Sequence, residues 1–147
     1  MKILLIHGPN LNMLGRRNRD LYGDKTLPEL EAIVTKRARE LGASVMTYQS
    51  NHEGALIDFL QEEAPKANGI IINPGALTHY GLSLRDALVD TNLPIVEVHL
   101  SDIHSREEWR KVSVIEDLAR LQICGLGWQG YVDAVDCLID FLKKKKK

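Results

Sequence analysis

An open, doubly wound α/β domain built on a five-stranded parallel sheet is what this sequence predicts, on three observations. Short apolar runs that stop at Gly, Pro or Asn recur along the chain. Segments with helical apolar spacing alternate with them. The first run, KILLIH (Lys2–His7), is unbroken in its apolar centre, as a strand buried on both faces must be. Right-handed crossovers then place helices on both faces of the sheet. With 147 residues, 44% hydrophobic and 27% charged, the chain suits one domain around one core and leaves little room for a second.

Lys2–His7 is the first strand, stopped by Gly8-Pro9-Asn10. Leu27, Leu30, Ile33, Val34, Ala38 and Leu41 then recur at helical spacing, and Thr26 with Glu29 forms a capping box before them. Ser44–Gln49 (SVMTYQ) reads as the second strand, and Ser50 with Glu53 offers a cap to a helix running through Leu56, Phe59 and Leu60 to about Ala64. Gly69–Asn73 is the third strand, stopped by Pro74-Gly75. The next helix carries Leu82, Leu84, Ala87 and Leu88 until Asn92-Leu93-Pro94 ends it. Ile95–His99 is the fourth strand, and Ser105 with Glu108 is expected to cap a short helix holding Trp109. Leu121–Cys124 is the fifth strand. Tyr131, Val132, Val135, Leu138, Ile139 and Leu142 make the final helix.

At this length the flavodoxin-like strand order 2-1-3-4-5 is the natural arrangement. Such sheets bind ligands beyond the carboxyl ends of their strands, where the winding reverses between strands one and three. Gly8, Pro9 and Asn10, the stretch Asn73 to His79, and Glu97, His99 and Ser101 are therefore expected around one crevice.

Composition narrows the function. No apolar run is long enough to span a bilayer, and the N-terminus lacks a signal-peptide pattern, so no membrane association and a cytoplasmic location are expected. Cys124 and Cys137 have no metal-type spacing and read as buried thiols. The net charge of -1 hides an asymmetry: without the five lysines 143–147, 14 basic residues face 20 acidic ones, a body charge of -6. That body is no nucleic-acid surface. The expected division is a catalytic domain over residues 1–142 and a solvated, disordered polylysine tail. Within the acidic body, Arg16, Arg17, Arg19, Arg106, Arg110 and Lys111 form a positive focus that suits a small anionic substrate.

Several segments carry chemistry. The stretch from His7 to Gly23 exceeds the roughly two to six residues that usually join a strand to a helix. With its arginines, asparagines and Tyr22 it suits a lid over residues 11–24, closing on an anion; a plain surface loop is the alternative. A cation placed near a phenol, as Arg17 is near Tyr22 in sequence, favours the phenolate. Glu97 and His99, two residues apart on one strand, project to one face, where the carboxylate orients the imidazole. A packed histidine, or a zinc site with His79 or His104, are the competing readings of that pair.

Asn73 to His79 leads into a helix and offers N–H groups to oxygens, or is simply a turn and cap. Arg106 and Arg110 are expected on one helical face, toward an anion or in surface ion pairs. GLGWQG (125–130) matches a dinucleotide fingerprint only formally, because it follows the last strand. A binding module that holds a mononucleotide on its GPN and NPG turns is the alternative to an enzyme. A hydrolase using Cys124 fails, since no histidine is close in sequence to that strand cysteine.

Taken together, GPNLN (8–12), LGRR (14–17), Tyr22-Gly23, SNHEG (50–54), NPGALTH (73–79), RDAL (85–88), EVHLSDIHSREEWR (97–110) and CGLGWQGY (124–131) resemble the type II 3-dehydroquinate dehydratases along essentially the whole chain. The resemblance implies a lyase that converts 3-dehydroquinate to 3-dehydroshikimate in the shikimate pathway, by anti elimination through an enolate, without metal, Schiff base or cofactor. It implies Tyr22 as base, Arg17 as the lid arginine that keeps it ionised, Asn10 steadying the enolate through a water, and His99 as acid with Glu97 behind it. Asn73, His79, Ser101 and Arg110, with the backbone of Leu100 and Ser101, correspond to the groups that hold substrate. Asp86 corresponds to a residue reaching the neighbouring subunit's site in trimers that assemble into dodecamers. Lys111-Val112 departs from the basic or histidine residues of many members.

Overall fold

The computed structural model describes residues 1–147. Its central strand is β1 (Lys2–His7), which pairs in parallel with β2 (Ser44–Gln49) on one side and β3 (Gly69–Asn73) on the other. β4 (Ile95–His99) joins β3, and β5 (Leu121–Cys124) joins β4, giving the order β2-β1-β3-β4-β5. All five strands and their order are as the sequence predicts. After β1 the chain makes a one-turn helix α1 (Arg19–Tyr22), then α2 (Leu27–Glu40), α3 (Glu53–Glu63), α4 (Leu82–Thr91) and α5 (Gln129–Lys145).

The unbroken apolar centre of β1 has a direct cause. Ile3 and Leu5 face the layer of α2 and α5, while Leu4 and Ile6 face α3 and α4; all four are fully buried. Each such side chain stabilises the fold by about 1.5–3 kcal/mol relative to its exposed state. The same two-sided burial accounts for the Ile70–Ile71–Ile72 run of β3.

Local signals fare differently. Thr26 and Glu29 make the predicted reciprocal capping box on α2. The predicted cap of α3 is not formed: Ser50 Oγ accepts from the His52 N–H at 3.0 Å, and Glu53 reaches across to the Leu84 N–H at 2.9 Å. Gly81 precedes α4 and has no side chain to satisfy that helix's free N–H groups, so the neighbouring helix supplies the acceptor. The helix predicted after β4 is likewise replaced by 3₁₀ turns at Ile103–Ser105 and Glu108–Arg110, the first capped by Asp102. Of the terminal lysines expected to form a tail, Lys143, Lys144 and Lys145 continue α5. α5 runs to Lys145, where positive charge complements the helix C-terminus and Lys144 lies 2.8 Å from Asp140.

The exits of β1 and β3 touch. Gly8 N–H donates to the Asn73 carbonyl at 2.8 Å, and a Cβ on Gly8 would stand 2.1 Å from the Pro74 carbonyl oxygen. This is backbone against backbone, which no rotamer relieves. Gly8→Ala is therefore expected to cost about 3 kcal/mol in a urea unfolding titration. An unchanged midpoint would mean that the two exits part freely.

Candidate active site

A crevice of about 110 Å³ opens at the carboxyl ends of β1, β3 and β4. This is smaller than the roughly 300–1,000 Å³ of pockets for drug-sized ligands, so it suits one small ring better than a nucleotide. Pro9 and Asn10 line it from β1, Asn73, Gly75 and His79 from β3, and His99, Leu100 and Ser101 from β4. Arg17 and Tyr22 come from the long segment after β1, and Arg106 and Arg110 from the turns after β4. Asn10 adopts a left-handed conformation (φ 71°), and its N–H donates to Asn51 Oδ1 at 2.9 Å.

Of the predicted positive focus, Arg17, Arg106 and Arg110 line the crevice. Lys111 is engaged by Glu108 instead. Arg17 lies over the face of Tyr22, its guanidinium carbon 3.8 Å from the ring centroid. The contact to the phenol oxygen comes from another residue. Arg106 Nη1 donates to Tyr22 Oη at 3.0 Å and approaches Ser101 Oγ at 3.3 Å. In sequence Arg106 is legible not as a partner of Tyr22 but as part of the positive focus and as a partner of Arg110 on a helical face. That face does not exist, yet the 3₁₀ turns bring both side chains to the crevice.

His99 is buried at the end of β4, with Nε2 2.8 Å from Glu97 Oε1. Glu97 lies behind His99 rather than on the crevice wall and is fully buried. Burial opposes its charge, but hydrogen bonds from His99, Thr78 and Ser113 outweigh that and hold the carboxyl below its ordinary range. Ser113 Oγ donates at 2.8 and 3.0 Å, and Gln122 Nε2 at 3.0 Å. An ionised Glu97 carries no hydrogen, so His99 Nε2 must be the donor, which leaves Nδ1 to exchange a proton.

These bonds link acid stability to the site. A carboxyl whose folded pKa lies below its ordinary 4.5 contributes stability that is present above that value and lost as pH falls through the folded pKa. The stability gap between wild type and Glu97→Gln should therefore shrink as pH is lowered from about 5 to about 3, followed by urea unfolding. A gap that widens as pH falls would mean that Glu97 is not ionised in the fold, and a constant gap that the fold does not shift its pKa.

His79 Nδ1 is 2.7 Å from the Val112 carbonyl, which only accepts, so Nδ1 holds the proton. Burial, opposed by that bond and helped by nearby His99 and Arg110, lowers its pKa below the ordinary value. Asn73 donates through Nδ2 to Tyr131 Oη at 2.8 Å and accepts from the Gly75 N–H at 3.1 Å. Asp86 is exposed on α4 and does not line its own chain's crevice. Burial pushes the Cys124 thiol up to about 12, with Glu97 and Asp102 adding to it, the opposite of an activated nucleophile.

Four residues of the assembly escaped the sequence reading: Thr78, Ser113, Gln122 and Tyr131. Gln122 is the register partner of Glu97 across the β4–β5 pair, which only the paired strands reveal.

The family model for dehydroquinase class II matches residues 1–139. The chain is 61% identical to a 3-dehydroquinate dehydratase of Roseiflexus castenholzii, over 95% of this chain and 88% of that protein. It is 47% identical to a catabolic 3-dehydroquinase of Aspergillus oryzae, over 99% of this chain and 95% of the relative. The crystal structure of a type II dehydroquinase from Butyrivibrio crossotus superposes with a TM-score of 0.90 at 45% identity, covering 94% of this chain and 97% of that one. With the fold, the crevice and these likenesses in agreement, the chain belongs to the type II dehydroquinase family.

Proposed function

We propose that the protein dehydrates 3-dehydroquinate to 3-dehydroshikimate by anti elimination through an enolate, as a cytoplasmic step of the shikimate pathway toward aromatic amino acids. One observation carries this reading: a single small crevice holds a phenol that accepts a guanidinium N–H and an imidazole backed by a buried carboxylate. Elimination beside a ketone needs a base at carbon, an acid at the departing hydroxyl and donors at the oxygen that becomes an enolate.

Tyr22, as phenolate, takes the proton from the carbon next to the ketone. Arg106 donates to the oxygen that carries the charge, and Arg17 lies over the ring. The electron pair moves to the ketone oxygen, which Asn10 steadies through a bound water. As the enolate collapses, the bond to the hydroxyl breaks and His99 supplies a proton from Nδ1, so water leaves. Glu97 stabilises the imidazolium needed for that step. Moving the proton from Tyr22 back to His99 resets the site, and no cofactor enters.

Asn73, His79, Ser101 and Arg110, with the backbone N–H groups of Leu100 and Ser101, hold the substrate's hydroxyls and carboxylate. Residues 11–24 act as the lid. The exposed Asp86, outside its own crevice, fits a contact to the neighbouring subunit's site in a trimer-based dodecamer. The name of the Aspergillus relative favours a second setting for the same reaction, a catabolic route.

The test is direct. Adding 3-dehydroquinate to the purified protein should produce the absorbance of a conjugated enone. No enone, with tight binding of a mononucleotide instead, would favour a binding module over an enzyme.

A further inference from the structure

Tyr131 is the largest of the fully buried side chains, held in the apolar layer between α2, α5 and the sheet. A phenylalanine would fill that layer without bringing a polar atom into it. Burying a hydroxyl is unfavourable unless it is bonded, and the bond formed here is to one group, the Asn73 amide at 2.8 Å. The Asn73 side chain stands at the end of β3, on the crevice wall.

We infer that Tyr131 is a positioning residue, whose hydroxyl fixes the orientation in which Asn73 meets the substrate. The amide is pinned at both ends. Its NH₂ donates to Tyr131, and its oxygen accepts from the Gly75 N–H at 3.1 Å. One N–H and one carbonyl lone pair remain for the crevice. That pairing suits a substrate hydroxyl, which both donates and accepts. Burial raises the Tyr131 pKa well above the ordinary phenol value, so this hydroxyl remains neutral and serves as a hydrogen-bonding group rather than a second base. The inference rests on the proposed role of Asn73 in holding substrate.

The experiment is a double-mutant cycle with 3-dehydroquinate as substrate. Tyr131→Phe should raise KM about tenfold, the worth of one to one and a half kcal/mol of lost hydrogen bonding, with kcat within about threefold. In an Asn73→Ala background the same change should add less than about twofold. Tyr48→Phe, which removes a hydroxyl from a ring stacked on Phe59 away from the crevice, should leave both constants unchanged. Melting temperatures of each variant separate loss of orientation from loss of fold. If Tyr131→Phe does not fold, difluorotyrosine at position 131 keeps the ring, weakens the acceptor oxygen and should raise KM in the same direction.

Equal effects of Tyr131→Phe in both backgrounds, or an unchanged KM, would overturn the inference. An active wild type with an indifferent Asn73→Ala would also overturn it, while leaving the dehydratase reading intact. Absence of turnover in the wild type would instead defeat that reading and this inference together.

Discussion

Tyr22→Phe is expected to lower kcat by about three orders of magnitude while KM stays within about threefold, because general base catalysis contributes roughly 10²–10⁴ in rate. The substitution removes only the phenol oxygen. The ring that Arg17 covers at 3.8 Å remains, and Arg106 keeps its approach to Ser101, so the walls of the crevice survive. Enone formation at saturating substrate measures the loss, and binding of 3-dehydroquinate to the variant by calorimetry shows whether the walls are intact. A loss smaller than about tenfold, which is about 1.4 kcal/mol of transition-state stabilisation, would remove Tyr22 from the role of base.

The second large effect falls on the acid. His99→Ala is expected to lower product formation by about 10²–10³-fold, because a hydroxyl leaving without a proton is a poor leaving group. The variant retains Tyr22 with its Arg106 bond, so it should still exchange the carbon-bound proton of 3-dehydroquinate with deuterium from solvent. Exchange without elimination, followed by NMR in D₂O, is the expected signature. Loss of exchange and elimination together would assign His99 to the enolate oxygen instead. Glu97→Ala should lose less than His99→Ala, and the double variant little more than His99→Ala alone, since Glu97 acts through the ring it bonds at 2.8 Å.

The inner strands β1, β3 and β4 were legible because burial on both faces writes a nearly continuous apolar run, a signal that needs no tertiary context; the edge strands β2 and β5 are only partly buried. The segment from Asp102 to Leu118 was not, because distant residues organise it. Val114 N–H donates to the Thr78 carbonyl at 2.7 Å, His79 meets the Val112 carbonyl, and Arg85 reaches the Val114 carbonyl. Those bonds hold the chain in 3₁₀ turns where local capping signals favour an α-helix. Ser50 and Glu53 fail as a cap for a related reason, since Glu53 is drawn to α4.

The crevice followed from topology: once β1 and β3 are neighbours, their exits must share a mouth with β4. Glu97 and His99 were found by strand period alone. The hydroxyls of Thr78 and Ser113 and the amide of Gln122 were invisible, being 19, 16 and 25 residues from Glu97 along the chain. Arg106 shows how a wrong local structure still marks a right residue, since its charge and position after β4 mattered more than the helix expected there.

The central claim is an anti elimination with a base and an acid serving opposite sides of one small ring. Stereochemical labelling tests it most directly, with 3-dehydroquinate carrying deuterium at one or the other position of the carbon next to the ketone. The account predicts that the deuterium anti to the departing hydroxyl passes to solvent, and that the syn deuterium remains in the 3-dehydroshikimate formed. Loss of the syn label would contradict it.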